Sequence, residues 1–264
     1  MKLKIGIFDS GIGGFTILRS LLATRKDVEV YYLADTKRVP YGNKDIEQIR
    51  SIAKEICNWF KDKNLDALLI ACNTTNACAL DILENNLEIP CFDLIYSVSE
   101  IVTKQHIGVL ATPATIKSFY YKKIIESKRE NVKVFQQACP EFVPEIERTK
   151  LDLDKLNYLS DLYINPLLKE NVEEIILGCS HYPLIYNVLR NKIDPKIRII
   201  DPSAALVNKF NNSFLITKNH CCESICHDNI RFFVTAKSEE FSKKVKYWLK
   251  FNKEITLVNL RSND

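Results

Sequence analysis

The sequence predicts an α/β protein built on mainly parallel sheets, and two observations carry that expectation. Short apolar runs alternate with amphipathic stretches of helical length, as stacked layers of strand and helix require. Two distant segments also share one layout: LLIACNTT at 68–75 and IILGCSHY at 175–182 each run apolar, then turn abruptly polar at a cysteine. A thiol at the end of a parallel-type strand lies where open α/β sheets bind ligands. Two copies imply two similar half-molecules facing each other, each contributing one thiol.

Taken in order, KIGIF at 4–8 is the first apolar run; a glycine-rich loop follows it and leads into helix 13–24. VEVYYLA at 28–34 is the second strand, with helix 45–62 after it. ALLIA at 67–71 leads through Cys72 into helix 75–85. HIGVLA at 106–111 precedes helix 114–126, and VKVFQQA at 132–138 precedes helix 153–169. EEIILG at 173–178 leads through Cys179 into helix 183–191. IRII at 197–200 with helix 203–210, and IRFFV at 230–234 with helix 238–250, complete the alternation.

A chain of 264 residues makes one large or two small domains with ample core. Its 46% hydrophobic and 27% charged content is that of a soluble globular protein. No segment reaches the ~18–20 apolar residues that span a bilayer, so no membrane partner is expected. MKLKIGIFDS turns to Asp after a short apolar run and reads as a strand, not a signal peptide. A formal charge of +4, without a basic arm, argues against nucleic acid as a partner and suits a small anionic substrate. Nine cysteines, an odd number, point to reduced thiols and a cytoplasmic location rather than a disulfide framework. Cys57 and Cys78, on predicted helices, read as small core residues.

The loop FDSGIGG at 8–14 has glycines spaced G-x-G-G, which is not the dinucleotide fingerprint G-x-G-x-x-G. Asp9 ahead of it would repel a phosphate; Asp9 and Ser10 better fit a zwitterion or assistance to proton transfer. His181, two residues after Cys179, is placed to hold that thiol and share its proton. Asp9 can do the same for Cys72 if the first and third strands are neighbours. Cys72 and Cys179 do not form a Cys-x-x-Cys redox pair, and a cysteine hydrolase needs only one nucleophile. Two equal acid/base groups on opposite sides of one carbon are what a racemase or epimerase requires. HCCESICH at 220–227 offers five soft ligands, but its Cys222-x-x-x-Cys226 spacing is not a strong zinc pattern, so no metal is expected and a loop of reduced thiols is the reading.

IGIFDSGIGG, LADTKRVPYGNKD, LLIACNTT, GVLATPATIKS, ACPEFVPEIE and EEIILGCSHYPLI follow one another in an order that closely resembles the glutamate racemases. That resemblance implies an enzyme needing no cofactor, acting on L- and D-glutamate and supplying D-glutamate for peptidoglycan. It implies Cys72 and Cys179 as the acid/base pair, Asp9 supporting Cys72, His181 supporting Cys179, and Glu147 close by. Implied substrate contacts are Asp9, Ser10, Tyr41, Gly42, Asn73, Thr74, Thr112, Thr115, Ser180 and His181. The implied fold is two α/β domains about a pseudo-twofold axis, with the active site in the cleft between them. The first domain would be 1–95 completed by 205–264, the second 96–204, and the assembly a homodimer. The alternative class is a binding or regulatory protein that keeps the racemase fold. Ser180 stands where the resembled sequences usually have Thr, Asn76 where they have Ser or Thr, and bulky Tyr96 near the domain crossing. Asn76 and Tyr96 are therefore the expected places for any drift in the fit to substrate.

Overall fold

In the computed structural model, which describes residues 2–214 and 227–260, the apolar runs become ten strands among the described residues. They are β1 (Leu3–Asp9), β2 (Val28–Ala34), β3 (Ala67–Ile70), β4 (Cys91–Asp93) and β5 (His106–Ala111). β6 (Lys133–Ala138), β7 (Glu174–Gly178), β8 (Arg198–Ile200), β9 (Ile230–Val234) and β10 (Ile255–Leu257) follow. They assemble into one six-stranded sheet, β10-β9-β2-β1-β3-β4, and one four-stranded sheet, β6-β5-β7-β8. Every pairing is parallel. Parallel neighbours need crossover connections, and helices supply them, covering both faces. The interior strands are therefore strongly apolar: Ile5, Ile7, Phe8, Leu68, Leu69 and Ile70 are all fully buried.

Side chains alternate across each strand, so one strand feeds two cores. Ile5, Ile7, Tyr32 and Leu69 join a cluster that runs on into Leu110, Leu177 and Tyr182 of the second sheet. Phe8, Leu33, Leu68 and Ile70 face the other way, against Ile52, Ile56 and Phe60. The two halves thus share one apolar core. Cys57 and Cys78 are buried on helices. Among the described residues, no helix is long and apolar enough to cross a membrane.

Several elements differ from the sequence expectation. Helix 114–126 is two helices, Pro113–Lys117 and Tyr120–Lys128, broken at Phe119 with φ 55°. A left-handed non-glycine residue is costly and leaves no trace in hydrophobic periodicity. The helices Leu94–Ser99 and Phe142–Ile146, with strands β4 and β10, are too short to show a period at all. The helix after β3 begins at Asn73, directly after Cys72, two residues earlier than expected.

Asn76 and Tyr96 do not take the places expected of them. The Asn76 amide is buried and donates to Ile70 O at 2.8 Å and Cys72 O at 2.7 Å, while its oxygen accepts from Leu94 N at 3.0 Å. It ties the end of β3 to the Cys72 turn and to the helix Leu94–Ser99. Tyr96 is 39% exposed, and the Lys128 and Lys209 ammonium groups lie 3.2 Å and 3.7 Å from its ring centre. Its bulk is accommodated at the surface. Replacing Asn76 with Ala should cost about 2–3 kcal/mol, since several buried backbone groups lose their partner together. Chemical denaturation measures this, and a loss below about 0.5 kcal/mol would show that the staple is redundant.

Candidate active site

The first half of the site grows from adjacent strands. β1 and β3 are neighbours, with Phe8 paired to Ile70. Asp9 closes β1, and Cys72 lies two residues beyond β3 as the N-cap of the helix Asn73–Asn86. Both are buried. The Asp9 carboxylate accepts from Gly11 N at 2.7 Å and from Ser180 Oγ at 2.8 Å, so it reaches across to the second half. Burial raises the Asp9 carboxyl above its ordinary value, against the opposing His181 charge and the Gly11 and Ser180 bonds. A carboxyl raised in this way accepts a proton more readily than an ordinary aspartate. Burial, and then the Asp9 charge, push the Cys72 thiol up to about 12. Thr75 pulls the other way, although its buried hydroxyl completes no hydrogen bond. The charge of Cys179 adds a smaller upward push.

The second half follows β7. Cys179 is the next residue and is 5% exposed. Its Sγ lies 3.8 Å from His181 Nδ1, and His181 Nε2 is 2.7 Å from Glu147 Oε1. Glu147 Oε1 also accepts from Ile12 N at 3.0 Å, and Oε2 accepts from Lys244 Nζ at 2.8 Å. Burial alone would raise the Glu147 carboxyl, but its bond to His181, the His181 charge and Lys244 outweigh it and hold the group at about 2. Burial likewise opposes a charged His181, yet Cys179 and Glu147 carry it well above the ordinary histidine value. The bonds and charges of Cys179 and Glu147 thus favour the protonated imidazole, with Cys179 on its Nδ1 side and Glu147 on its Nε2 side.

Further polar groups of the two halves meet each other. Thr74 Oγ1 and Thr112 Oγ1 are 2.9 Å apart, as are Thr112 Oγ1 and Thr115 Oγ1. Ser10, Asn73 and Thr74 are buried. Asn73 Nδ2 is buried with no protein partner, while Asn73 Oδ1 accepts from Tyr121 Oη at 2.6 Å. Tyr41 is buried too, but its hydroxyl is taken by Asp35 at 2.5 Å. What this segment offers the cleft is backbone, and a Cβ at Gly42 would stand 2.4 Å from Thr112 Cβ. A Cβ at Gly13 would lie 2.2 Å from Ser180 Oγ and 2.6 Å from His181 Nδ1. Neither glycine has positive φ. Close approach of the other half, rather than a tight turn, requires them.

The structure thus links Asp9 to Ser180, Cys179 to His181 and Glu147, and Thr74 to Thr112 and Thr115, with Gly42 packed on Thr112 and Ser10, Cys72 and Asn73 buried next to them in the chain. Sequence reasoning missed Lys244 and Tyr121. Lys244 lies on the helix Ser238–Leu249 among other lysines, and Tyr121 on Tyr120–Lys128 among other aromatic and basic residues. Neither position carries a local signal. A cavity of about 260 Å³ has Glu147 and Lys244 in its wall, together with Val39, Pro40 and Val143, but neither thiol. No metal-binding group of three His, Cys, Asp or Glu occurs among the described residues. The cysteines of the 220–227 motif lie outside those residues; its last member, His227, stacks on Phe251 with ring centres 4.1 Å apart.

Two α/β halves, each with a buried thiol at the end of an interior strand and bonded to each other through Asp9 and Ser180, match the amino-acid racemase class. The family model for Asp/Glu/Hydantoin racemase matches residues 16–210. The glutamate racemase of Prochlorococcus marinus (strain NATL1A) is 43% identical, with 98% of each chain covered. That of Nostoc sp. (strain PCC 7120 / SAG 25.82 / UTEX 2576) is 33% identical over 98% of this chain and 88% of its own. The crystal structure of a Francisella tularensis glutamate racemase in complex with D-glutamate superposes with a TM-score of 0.87, at 31% identity and 99% coverage of both chains. A Picrophilus torridus aspartate racemase shares the fold at a TM-score of 0.60 and 18% identity, over 81% of this chain and 94% of its own. The chain belongs to the Asp/Glu/Hydantoin racemase family, and its relatives at 30–43% identity are glutamate racemases.

The Lys244–Glu147–His181 chain makes a pH prediction. Glu147 is depressed, so its contribution to stability is present above the ordinary carboxyl value of about 4.3 and lost as pH falls toward 2. His181 is raised, so its contribution is full below about 6.5 and lost as pH rises through its folded value. Their joint stabilisation peaks between about pH 5 and 6.5. Lys244→Met should lower stability there by about 1–2 kcal/mol and move the acid loss to higher pH. Unfolding free energies followed from pH 7 to pH 3 test this; parallel curves for wild type and variant would detach Lys244 from the chain.

Proposed function

We propose that this protein interconverts L- and D-glutamate without a cofactor, with the thiols of Cys72 and Cys179 acting on opposite faces of Cα. The observation that carries this reading is the pair of buried thiols, each at the carboxyl end of an interior strand of its own sheet, with Asp9 of the first half bonded to Ser180, next to Cys179, in the second. One thiolate takes the Cα proton, leaving the electron pair on a carbanion-like centre. The opposite thiol delivers its proton to the other face. One proton leaves carbon and one returns, and the two sulfurs exchange protonation states. The resemblance assigns abstraction from D-glutamate to Cys72 and from L-glutamate to Cys179, with Asp9 and His181 assisting each.

Such a weak carbon acid needs its substrate carboxylate well held, and preorganised donors are commonly the largest catalytic contribution. Cys72, Asn73 and Thr74 open the helix Asn73–Asn86, which is interrupted by non-helical backbone at Ala79 (φ −150°, ψ 20°), and the free amide groups of its first turn favour negative charge. The unspent Asn73 Nδ2, the Ser10 hydroxyl and the Thr74–Thr112–Thr115 hydroxyl cluster add donors around the ligand, while the Ser180 oxygen, its proton spent on Asp9, can accept from the substrate ammonium group. Tyr41 and Gly42 close the wall. On this reading the two units are residues 1–95 with 205–264, and residues 96–204. The protein works as a homodimer in the cytoplasm, where its D-glutamate enters peptidoglycan.

Free L- and D-glutamate have equal energy, so kcat/KM must be the same in both directions at every pH. Cys72→Ser and Cys179→Ser should therefore each abolish racemisation in both directions, by at least about 10³-fold. In heavy water the wild type should place deuterium at Cα chiefly in the product enantiomer during early turnover. Equally fast deuteration of unreacted substrate would point to a single base. Purified, cofactor-stripped protein that leaves glutamate enantiomers unchanged would remove the assignment.

Glutamate should be favoured over aspartate. One methylene is worth about 1–3 kcal/mol, so kcat/KM should differ by at least roughly tenfold for the same preparation. A ratio near one, or one favouring aspartate, would displace glutamate while leaving the two-thiol mechanism in place.

A further inference from the structure

The Tyr121 phenol is fully buried, and its ring packs in the second half against Ile95, Val98, Val109 and Ile125. Its hydroxyl leaves that core to donate to Asn73 Oδ1 at 2.6 Å, on the first turn of a helix that begins in the first half. A buried phenol normally secures a hydrogen-bond partner, so the contact alone would be unremarked. What distinguishes it is the other end of the same amide. Asn73 Nδ2 is buried and has no protein partner. An amide has one acceptor and two donor positions, and it can turn over to exchange them. The Tyr121 hydroxyl can donate or accept, but accepting from a reversed amide would leave its own buried O–H without the acceptor it now has, so the bond favours the orientation in which oxygen faces the tyrosine and nitrogen faces away.

We propose that Tyr121 is a positioning residue that fixes the Asn73 amide, through a bond between the two halves, with its N–H donors presented to an anionic group of the substrate. This rests on the reading of Asn73 as a substrate donor. With Tyr121 in place the carboxylate meets two N–H donors without reorganisation. Without the hydroxyl, the amide is free to turn its oxygen toward the carboxylate, and binding must first pay to reverse it. The bond has one partner in each half, so it forms only when they are together. Recognition of the carboxylate is thereby linked to closure of the cleft.

Tyr121→Phe removes one oxygen and keeps the ring in its packing. KM for both enantiomers should rise roughly tenfold while kcat changes less than about threefold, as expected for the loss of one well-oriented donor to a charged group. Asn73→Ala should raise KM at least as much, and adding Tyr121→Phe to it should raise KM no further, because the tyrosine then has nothing to orient. Additive effects in this cycle would overturn the proposal, as would a Tyr121→Phe enzyme with lower melting temperature and unchanged KM. If Asn73→Ala itself leaves KM unchanged, the reading of Asn73 as a donor fails instead. Tyr121→Leu, compared by circular dichroism and the same kinetics, separates loss of packing from loss of the hydroxyl.

Discussion

One carboxylate holds the cleft together. Glu147 accepts from the Ile12 amide in the first loop, from His181 after β7, and from Lys244 on the C-terminal helix. Three segments far apart in the chain converge on two oxygens, and each supplies a donor that a buried anion needs. Gly11 is glycine because a Cβ there would lie 2.0 Å from Glu147 Oε1. Take away the negative charge and His181 loses the partner that keeps it protonated, while the loop carrying Asp9 and Ser10 loses its anchor on the second half.

The chemistry then follows from burial working against charge. The cleft is dry enough to push Cys72 up to about 12 and to raise Asp9, yet it holds Glu147 at about 2. The difference lies in the partners rather than the depth. Cys72 has a negative neighbour in Asp9, while Glu147 has two positive ones. On the proposed mechanism a thiol of high basicity suits a weakly acidic carbon once it is deprotonated, and the first turn of the helix that Cys72 caps offers free amide groups beside it.

Many of the polar contacts in the cleft join one half to the other. Asp9 meets Ser180, Thr74 meets Thr112, Asn73 meets Tyr121, and Ile12 meets Glu147. Neither half alone has a satisfied set of donors and acceptors, so the functional geometry is a property of the pair. Gly13 and Gly42 serve the same end, since a side chain at either would hold the halves apart. Asn76 and the Tyr96 surface contacts lie where the chain crosses between halves, and Asn76 also holds the Cys72 carbonyl.

The sequence alone determined the α/β class, the strands that carry the site and both thiols with His181. Each of these depends on neighbours in the chain: a buried parallel strand is a continuous apolar run, and its carboxyl end is marked by the switch to polar residues. The motif-rich loops and their order were equally legible, because those residues sit together in the sequence. The tertiary structure decided what depends on contacts across the fold. It turned the Tyr41 hydroxyl to Asp35, gave Asn76 three backbone partners, and brought Lys244 and Tyr121 to Glu147 and Asn73. A lysine on an amphipathic helix and a tyrosine in a core look ordinary in a sequence. Their roles exist only because packing closes gaps of 97 residues for Lys244–Glu147 and 48 for Tyr121–Asn73, and no local pattern encodes a partner that distant.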